Sequence, residues 1–420
     1  MSRRELIELL GAAALTPLAR VDTRVPAGEA PPPPPGFRIR TITVGVNLQN
    51  AADTGTLANA LAFLKRAKRI VTDAGYEVQT TRVATQPFLE EASPRARADA
   101  LPTIQALDRA VVAEGALLSL GPVLGPDGKD PEFGVWAAEL ARTTQNVSCS
   151  VRVASPDRSA SPQGVTAAGE AMAAIARATP GGIGNFRFAA AANVPAGTPF
   201  FPVAYHRGSE AVAVGLESPP LLEAAFTGAN SLTEAKQRLT AAFESRLGPL
   251  ERLIKEVARR DERGYTGIDV SPAPGKDASI GAAIEALSGV PFGVASTLAA
   301  CAAITDVLKA LRLKACGYSG LMLPVLEDPV LAQRASEKRF TVRDLLLYST
   351  VCGTGLDVVP LPGGMGGDQL AALVADVAAL STKLRKPLSA RLFPVPGRKV
   401  GEVAKFNNPY LTDCVVLSAE

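Results

Sequence analysis

The stretch RIRTITVGV at residues 38–46 and the stretch TGTLANALAFLKRAKRIVTDAG at residues 54–75 together decide the fold class. In the first, Ile42, Val44 and Val46 alternate with other residues, which is typical of a β-strand. In the second, apolar residues recur at helical spacing up to Gly75, a suitable residue for ending a helix. A strand at 77–83 completes the unit. A strand, a helix and a strand in this order predict parallel pairing, because parallel strands need a long crossover.

The same cycle recurs along most of the chain. Further strands are predicted at 116–120, 147–153, 267–270, 320–325, 356–359 and 388–394, with helical patterns between most of them. The middle departs from the cycle, since 185–191, 199–206 and 212–216 resemble consecutive strands and precede a helical stretch at 221–260. We expect that part to be an inserted or decorating region. The chain is therefore predicted to be α/β, with a largely parallel sheet or barrel in one domain at 37–420.

The first 36 residues resemble a targeting segment and a spacer. The stretch RRELIELLGAAALTPLA at 3–19 resembles a twin-arginine export signal, and residues 1–28 would then leave the mature protein. The alternative is a short amphipathic helix in a cytoplasmic protein, because Leu6, Leu9, Leu10 and Ala13 share one helical face. Residues 29–36 contain five consecutive prolines, which predict an extended linker.

Composition excludes several classes of function. The chain carries 44 basic and 41 acidic residues, so no strong field of one sign is available to bind nucleic acid or an anionic membrane. No apolar run reaches the roughly 18 residues of a membrane-spanning helix. The five cysteines contain no C-x-x-C pair, and His206 is the single histidine, so zinc ribbons and histidine dyads within one chain are excluded.

Seven segments together resemble one protein family. They are FFPVAYH at 200–206 with GLE at 215–217, IDVSPAP at 268–274, SIG at 279–281, CGYSGLMLPVLED at 316–328, VCGTGLD at 351–357 and ARLFPVPGR at 390–398. This set resembles the domain-of-unknown-function family 711, also known as uncharacterised protein family 0210. The resemblance implies a barrel of strands surrounded by helices, like that of pyruvate formate-lyase, and implies no established reaction.

Glycyl-radical chemistry does not follow from that likeness, since function resides in sites rather than in folds. Radical enzymes of this type carry an Arg-Val-Ser-Gly-Tyr-like loop near the C-terminus. The nearest match here is KACGY at 314–318, which stands about 100 residues too early and has cysteine in place of serine. We therefore expect a protein that is not a glycyl-radical enzyme.

Two glycine-flanked cysteines are the main candidates for chemistry. Cys316 and Cys352 each precede a glycine at the boundary of a predicted element, where a thiol can be reached and a backbone can approach a ligand. Asp269 and Tyr318 are their candidate acid–base partners. The alternative is that both cysteines are small buried apolar residues.

Other polar residues near these loops are candidates for binding a substrate or a metal. The expected substrate-binding residues are Ser271, Ser279, Gly317, Gly353, Thr354, Gly355 and Asp357. A hairpin between two predicted strands would bring His206 and Glu217 together as a proton donor and its partner or as metal ligands. Carboxylates at strand ends could bind a divalent metal, which is the one cofactor that the sequence suggests.

These residues leave three functions open. The first is an enzyme that acts on a small molecule at a site in the centre of the barrel. The second is a non-catalytic protein that binds a small ligand or a metal on the same barrel, and the third is an exported thiol–disulfide protein that joins Cys316 to Cys352. The expected partner is a small-molecule ligand, and assembly into a homo-oligomer is left open.

Overall fold

The structure, a computed structural model, describes residues 36–128, 130–156 and 160–419. The predicted export signal and nearly all of the predicted linker lie outside the described residues. Within the described part, no helix is both long and apolar enough to cross a membrane.

Strands and helices alternate over most of the described chain. The strands of the main sheet are β1 Arg38–Val46, β2 Val78–Thr85, β3 Leu117–Leu124, β4 Val147–Ala154, β5 Phe188–Ala192, β6 Ala211–Glu217, β7 Gly264–Ala273, β8 Gly355–Pro362 and β9 Leu388–Val395. The α-helices are α1 Thr54–Asp73, α2 Pro94–Ala113, α3 Phe133–Thr143, α4 Pro162–Ala178, α5 Pro219–Phe226, α6 Leu232–Arg260, α7 Ile280–Ser288, α8 Thr297–Ala310, α9 Pro329–Ser336, α10 Val342–Ser349 and α11 Gly367–Leu384. A 3₁₀ segment, Pro180–Arg187, precedes β5, and a small pair, β10 Val403–Ala404 and β11 Cys414–Val415, follows β9.

The main sheet has the order β7-β6-β1-β2-β3-β4-β5-β9-β8. Strands β1 to β5 run parallel to one another, and β6 with β7 and β8 with β9 are further parallel pairs. Two antiparallel pairs join these three groups, β1 with β6 and β5 with β9.

Residues 314–326, here called the closing segment, lie between the two outermost strands, β7 and β8. The amide of Cys316 donates to the carbonyl of Ile268 in β7 at 3.1 Å, and the amide of Val325 donates to the carbonyl of Asp357 in β8 at 3.2 Å. Parallel bridges join Ala315 to β7 and Pro324 to β8. The segment was predicted to contain a strand at 320–325, but the structure leaves it irregular. It thereby closes the sheet into a barrel.

The two faces of the sheet differ in the size of their residues. On β1, Ile42, Val44 and Val46 are fully buried in the main hydrophobic core, which includes Leu57 and Leu64 of α1. The opposite face contributes small residues such as Ala189 and Ala191 of β5 to a separate apolar cluster inside the barrel. Bulky residues therefore pack against the helices outside, and small ones leave room in the centre.

Residues 198–206, here called the plug segment, fill part of that room. The prediction of a strand at 199–206 was wrong, because these residues form turns and irregular backbone. A Cβ on Gly215 of β6 would lie 2.8 Å from the ring of Phe200, and a Cβ on Gly45 of β1 would lie 2.2 Å from Nδ1 of His206. Glycine at both strand positions therefore makes space for the plug segment, which is part of the barrel interior rather than an external decoration.

The prediction of an α/β fold in which strands are surrounded by helices is confirmed. The particular likeness to pyruvate formate-lyase stays a prediction.

Candidate active site in the barrel interior

An inner cavity of about 60 Å³ lies where the sheet, the closing segment and the plug segment meet. This volume is enough for a few water molecules or a small group of a ligand. Its lining includes guanidinium groups from three strands, hydroxyls from the closing segment and β9, and the aromatic ring of Phe201. The cavity therefore has charged and hydroxyl groups in its lining although it lies within the barrel.

A network of ion pairs forms one wall of the inner cavity. Arg40 of β1 contacts Glu217 at 2.8 Å and Glu327 at 2.9 Å, and Arg391 of β9 contacts Glu327 at 2.6 Å and Asp357 at 2.7 Å. Burial lowers the pKa of Arg391, but Asp357 and Glu327 together raise it above its ordinary value. Arg40 and Arg391 are thus each compensated by carboxylates.

Arg82 of β2 differs from these two arginines. Its side chain is 4% exposed, and Nη1 donates to the carbonyl of Pro199 in the plug segment. Its guanidinium lies 5.4 Å from the ring centre of Phe201, and Nε has no hydrogen-bond partner among the described residues. Burial, reinforced by the charges of Arg40 and Arg391, lowers the pKa of Arg82 to about 9. At neutral pH it is a buried cation, and none of the hydrogen bonds or ion pairs of the described chain joins it to a carboxylate.

A chain of hydroxyl groups forms another part of the lining. The hydroxyl of Tyr318 donates to Oγ of Ser389 at 2.8 Å, and that Oγ lies 3.2 Å from the carbonyl of Thr354. Burial raises the pKa of Tyr318, so its hydroxyl stays protonated. Oγ1 of Thr354 is buried without a hydrogen-bond partner in the described structure. Buried polar atoms normally have partners, so Arg82 Nε and Thr354 Oγ1 are both exceptions beside one cavity.

Asp269 holds the loop that carries Tyr318. Its carboxylate accepts from the amides of Tyr318 and Ser319, both at 2.8 Å, and from the hydroxyl of Ser271 at 2.6 Å. Gly317 has φ of +62°, and a Cβ there would lie 2.1 Å from Asp269 Oδ2. Burial raises the pKa of Asp269, and these hydrogen bonds oppose that shift. Asp269, Ser271 and Gly317 do not line the cavity, but they position a residue that does.

The two candidate thiols lie outside the cavity lining. Burial raises the pKa of Cys316 well above its usual value, Asp269 raises it further, and Lys314 opposes the change. Burial also raises the pKa of Cys352, against the charge of Lys386. Both cysteines are unpaired in the structure. The arrangement gives neither thiol the depressed pKa that a thiolate nucleophile requires.

The remaining predicted residues divide between the cavity and the scaffold. Thr354 and Asp357 line the cavity, whereas Gly353 and Gly355 do not. Gly353 packs against Gly320 of the closing segment, where a Cβ would come within 2.5 Å of the Gly320 Cα. Ser279 is the N-cap of α7, and its hydroxyl donates to Asp328 at 2.7 Å.

His206 and Glu217 were predicted to lie together, and this prediction was wrong. His206 contacts Gly45 near one end of β1, whereas Glu217 contacts Arg38 at 2.6 Å at the other end. At roughly 3.3 Å per residue, these ends are roughly 20 Å apart. The described residues contain no group of three or more His, Cys, Asp or Glu side chains arranged to hold a metal ion.

Sequence reasoning missed the arginines and two of their neighbours in the lining. Arg82 and Arg391 are the only charged residues of β2 and β9, and both strands are otherwise largely buried. A charge that is isolated in a buried strand is a signal for a functional site. Glu327 directly precedes Asp328, which is the N-cap of α9 and accepts from the amides of Val330 and Leu331, so the different role of Glu327 did not stand out in the sequence. Ser389 carried no signal in the sequence.

Comparison with known proteins supplies a family but no activity. The family model described as "Uncharacterised ACR (DUF711)" matches residues 35–407. The chain belongs to this family. A protein of Pyrobaculum islandicum named "UPF0210 protein" is 31% identical over 404 residues, which cover 89% of this chain and 88% of that protein. A UPF0210 protein of Neisseria gonorrhoeae is 26% identical over 396 residues and 88% of each chain. A third, from Pyrobaculum arsenaticum, is 37% identical over 232 residues and 51% of each chain. The resemblance stated from the seven sequence segments is therefore confirmed at the level of the family.

Proposed function

We propose that this protein binds a small molecule that carries an anionic group, with that group held by Arg82 inside the barrel. The observation that supports the proposal is the state of Arg82, a fully buried guanidinium without a carboxylate partner and with Nε unpaired. A buried charge that has no partner costs several kcal/mol, typically about 3–5. An anion that occupies the inner cavity would remove that cost.

The geometry of the guanidinium suits a carboxylate or a phosphate. Nη1 is committed to the carbonyl of Pro199, which leaves the edge formed by Nε and Nη2 for the anion. Such an edge donates two parallel hydrogen bonds to two oxygens of one anionic group. Tyr318 and Thr354 line the same cavity, and their hydroxyls are the candidates to bind the rest of the ligand.

A binding experiment with small anions tests this proposal. Formate, acetate and phosphate are titrated into the protein while their binding is followed by ligand-observed NMR in a buffer without other carboxylates or phosphates. We expect Arg82→Met to weaken binding of the preferred anion by about 10- to 100-fold, because hydrogen bonds to charged groups contribute about 1.5–3 kcal/mol. Arg312→Gln is the control, since Arg312 is exposed and pairs with Glu244. If wild type binds none of the anions, or if Arg82→Met binds them equally well, the proposal is wrong.

A second candidate function is catalysis on the bound molecule, and the hydroxyl chain favours it. Tyr318 stays protonated because burial raises its pKa, so by turning its O–H from Ser389 to the ligand it would donate a hydrogen bond to negative charge that develops there. The cysteines contribute less to this proposal than the sequence implied. The variant Tyr318→Phe separates the two functions. A binding protein should keep its anion affinity in this variant, and neither wild type nor the variant should turn over the bound molecule. An enzyme should lose turnover in this variant while it still binds the anion.

A further inference from the structure

A second, larger space adjoins the inner cavity. This outer chamber has a volume of about 400 Å³ and shares Arg40, Arg82, Phe186 and Phe201 with the inner cavity. It lies at the end of the barrel where β2 to β5 begin, because Thr80, Leu117, Asn146 and Arg187 line it. A volume of this size falls within the range of sites for small metabolites, roughly 300–1,000 Å³.

The wall of the outer chamber combines apolar surface with positive charge. Its aromatic residues are Phe186, Phe201 and Tyr410, and none of the described residues that line it is acidic. Arg187 is committed to the scaffold, since its Nη1 and Nη2 donate to the carbonyls of Ala141, Thr144 and Val147. Arg40 is compensated by its carboxylates, as described above. An anionic group in the outer chamber would therefore be drawn toward Arg82 at the boundary with the inner cavity.

Aromatic rings cover the guanidinium groups at this boundary. Phe186 and Tyr410 lie nearly parallel, with ring centres 6.3 Å apart and planes inclined by 17°. The guanidinium of Arg391 lies 5.1 Å from the ring centre of Phe186, and that of Arg40 lies 5.3 Å from the ring centre of Tyr410. These rings present apolar surface to the chamber and partly exclude water from the arginines, which strengthens their attraction for an anion.

We propose that the natural ligand is amphiphilic, with an anionic group on Arg82 and a flat apolar body, such as an aromatic ring, against Phe186 and Tyr410 in the outer chamber. This inference rests on the proposed function and adds the class of molecule. A short anion would occupy only the inner cavity and would leave the apolar wall of the chamber in contact with water. An extended ligand would bury that wall, and burial of apolar surface is the main source of affinity for small ligands.

A matched series of carboxylates tests the inference. Acetate, benzoate and 3-phenylpropanoate carry the same anionic group with no ring, a directly attached ring and a ring on a short spacer. Binding to wild type is measured by ligand-observed NMR, with benzyl alcohol as the uncharged aromatic control. We expect the affinity of the better aromatic acid to exceed that of acetate by at least about tenfold, because a buried ring removes a large apolar area from water.

The variant Tyr410→Ala shows whether the higher affinity of the aromatic acid arises from contact with the Tyr410 ring. Tyr410 is 38% exposed, so its removal leaves the hydrophobic core intact. We expect this variant to lose most of the gain from the ring, so that the ratio of its affinities for the aromatic acid and for acetate falls toward one. The control is Leu347→Ala, which removes an exposed apolar side chain on α10 that does not belong to the chamber lining. This variant should keep the gain in affinity from the ring.

The outcomes distinguish the two proposals. If acetate and the aromatic acids bind wild type with equal affinity, the inference of an amphiphilic ligand is wrong, but the proposed anion site at Arg82 is still supported. If the gain survives in Tyr410→Ala, or if benzyl alcohol binds as well as the acids, the inference is also overturned. If no carboxylate binds, the proposed function fails and this inference fails with it.

Discussion

Replacement of Arg82 by methionine should stabilise the free protein while it weakens anion binding. Arg82 is buried, and the lowered pKa records the free energy that burial costs its charged form. Methionine has a similar length, is flexible enough to fill the vacated space and carries no charge. Substitution of a buried charge by an apolar residue is often neutral or stabilising.

The structure gives an approximate magnitude. The pKa of Arg82 falls to about 9, roughly three pKa units or slightly more below the ordinary value of a guanidinium. At about 1.4 kcal/mol for each pKa unit, the charge costs about 4–5 kcal/mol. Against this, the variant loses a hydrogen bond to Pro199 and the contact with Phe201, together about 1–3 kcal/mol. The Pro199 carbonyl keeps a second donor, Oγ1 of Thr43 at 3.0 Å. We expect a net gain of about 1–3 kcal/mol in the free energy of unfolding.

Urea denaturation at pH 7 in a buffer free of carboxylate and phosphate measures the change. Arg97→Met is the matched contrast, because Arg97 is also buried but pairs with Asp130 and donates to the carbonyl of Val123. Its removal strands a buried carboxylate and should cost about 3–5 kcal/mol. Destabilisation of Arg82→Met by more than about 1 kcal/mol would refute the reasoning, since Arg82 would then have a compensating partner that the described contacts do not contain.

Three other predictions follow from the same structure. Anion affinity should be constant below pH about 9 and should fall by up to tenfold per pH unit above it, because Arg82 then loses its proton in the free protein. An affinity that NMR titrations show to be unchanged up to about pH 10.5 would contradict this. Gly45→Ala should destabilise the protein by about 1–3 kcal/mol in urea denaturation, because its Cβ would collide with His206, and a neutral result would mean that the plug segment shifts at no cost. Iodoacetamide should modify Cys316 and Cys352 at pH 8 at least about tenfold more slowly in the native protein than in urea, since burial raises both pKa values. Peptide mass spectrometry measures this, and rapid labelling of either native thiol would restore it as a nucleophile.

The sequence predicted the regular parts of the fold because local patterns specify them. The alternation of Ile42, Val44 and Val46 and the helical spacing that follows both reappear in the structure as β1 and α1. Residues 199–206 misled the same reasoning. Their apolar content arises because they are buried inside the barrel, where contacts with Gly45 and Gly215, rather than strand pairing, determine their path. Local pattern cannot distinguish these two causes of burial.

The candidate site was predicted only in part, for a related reason. Asp269 lies in one of the segments that carry the family resemblance and Tyr318 lies with Cys316 in another, and the structure connects Asp269 to the loop of Tyr318. Arg82 and Arg391 belong to strands on opposite sides of β5 in the sheet order, more than 300 residues apart in sequence, and their side chains meet only because the sheet closes. A cysteine beside glycine attracts attention in a sequence, whereas a single arginine in a strand resembles ordinary composition until its burial is known.

Buried arginines elsewhere in the chain make the state of Arg82 informative. Arg97 is paired with Asp130, and Arg391 is paired with both Glu327 and Asp357. In both of these buried arginines the guanidinium is therefore compensated by a carboxylate, and each pair is shielded from water. Arg82 stands within the electrostatic reach of Arg40 and Arg391, which makes its charge more costly rather than less. A charge that is held at such a cost beside the inner cavity is explained if its partner arrives from outside the chain, and an arginine that only filled space would be replaced by an apolar residue without loss.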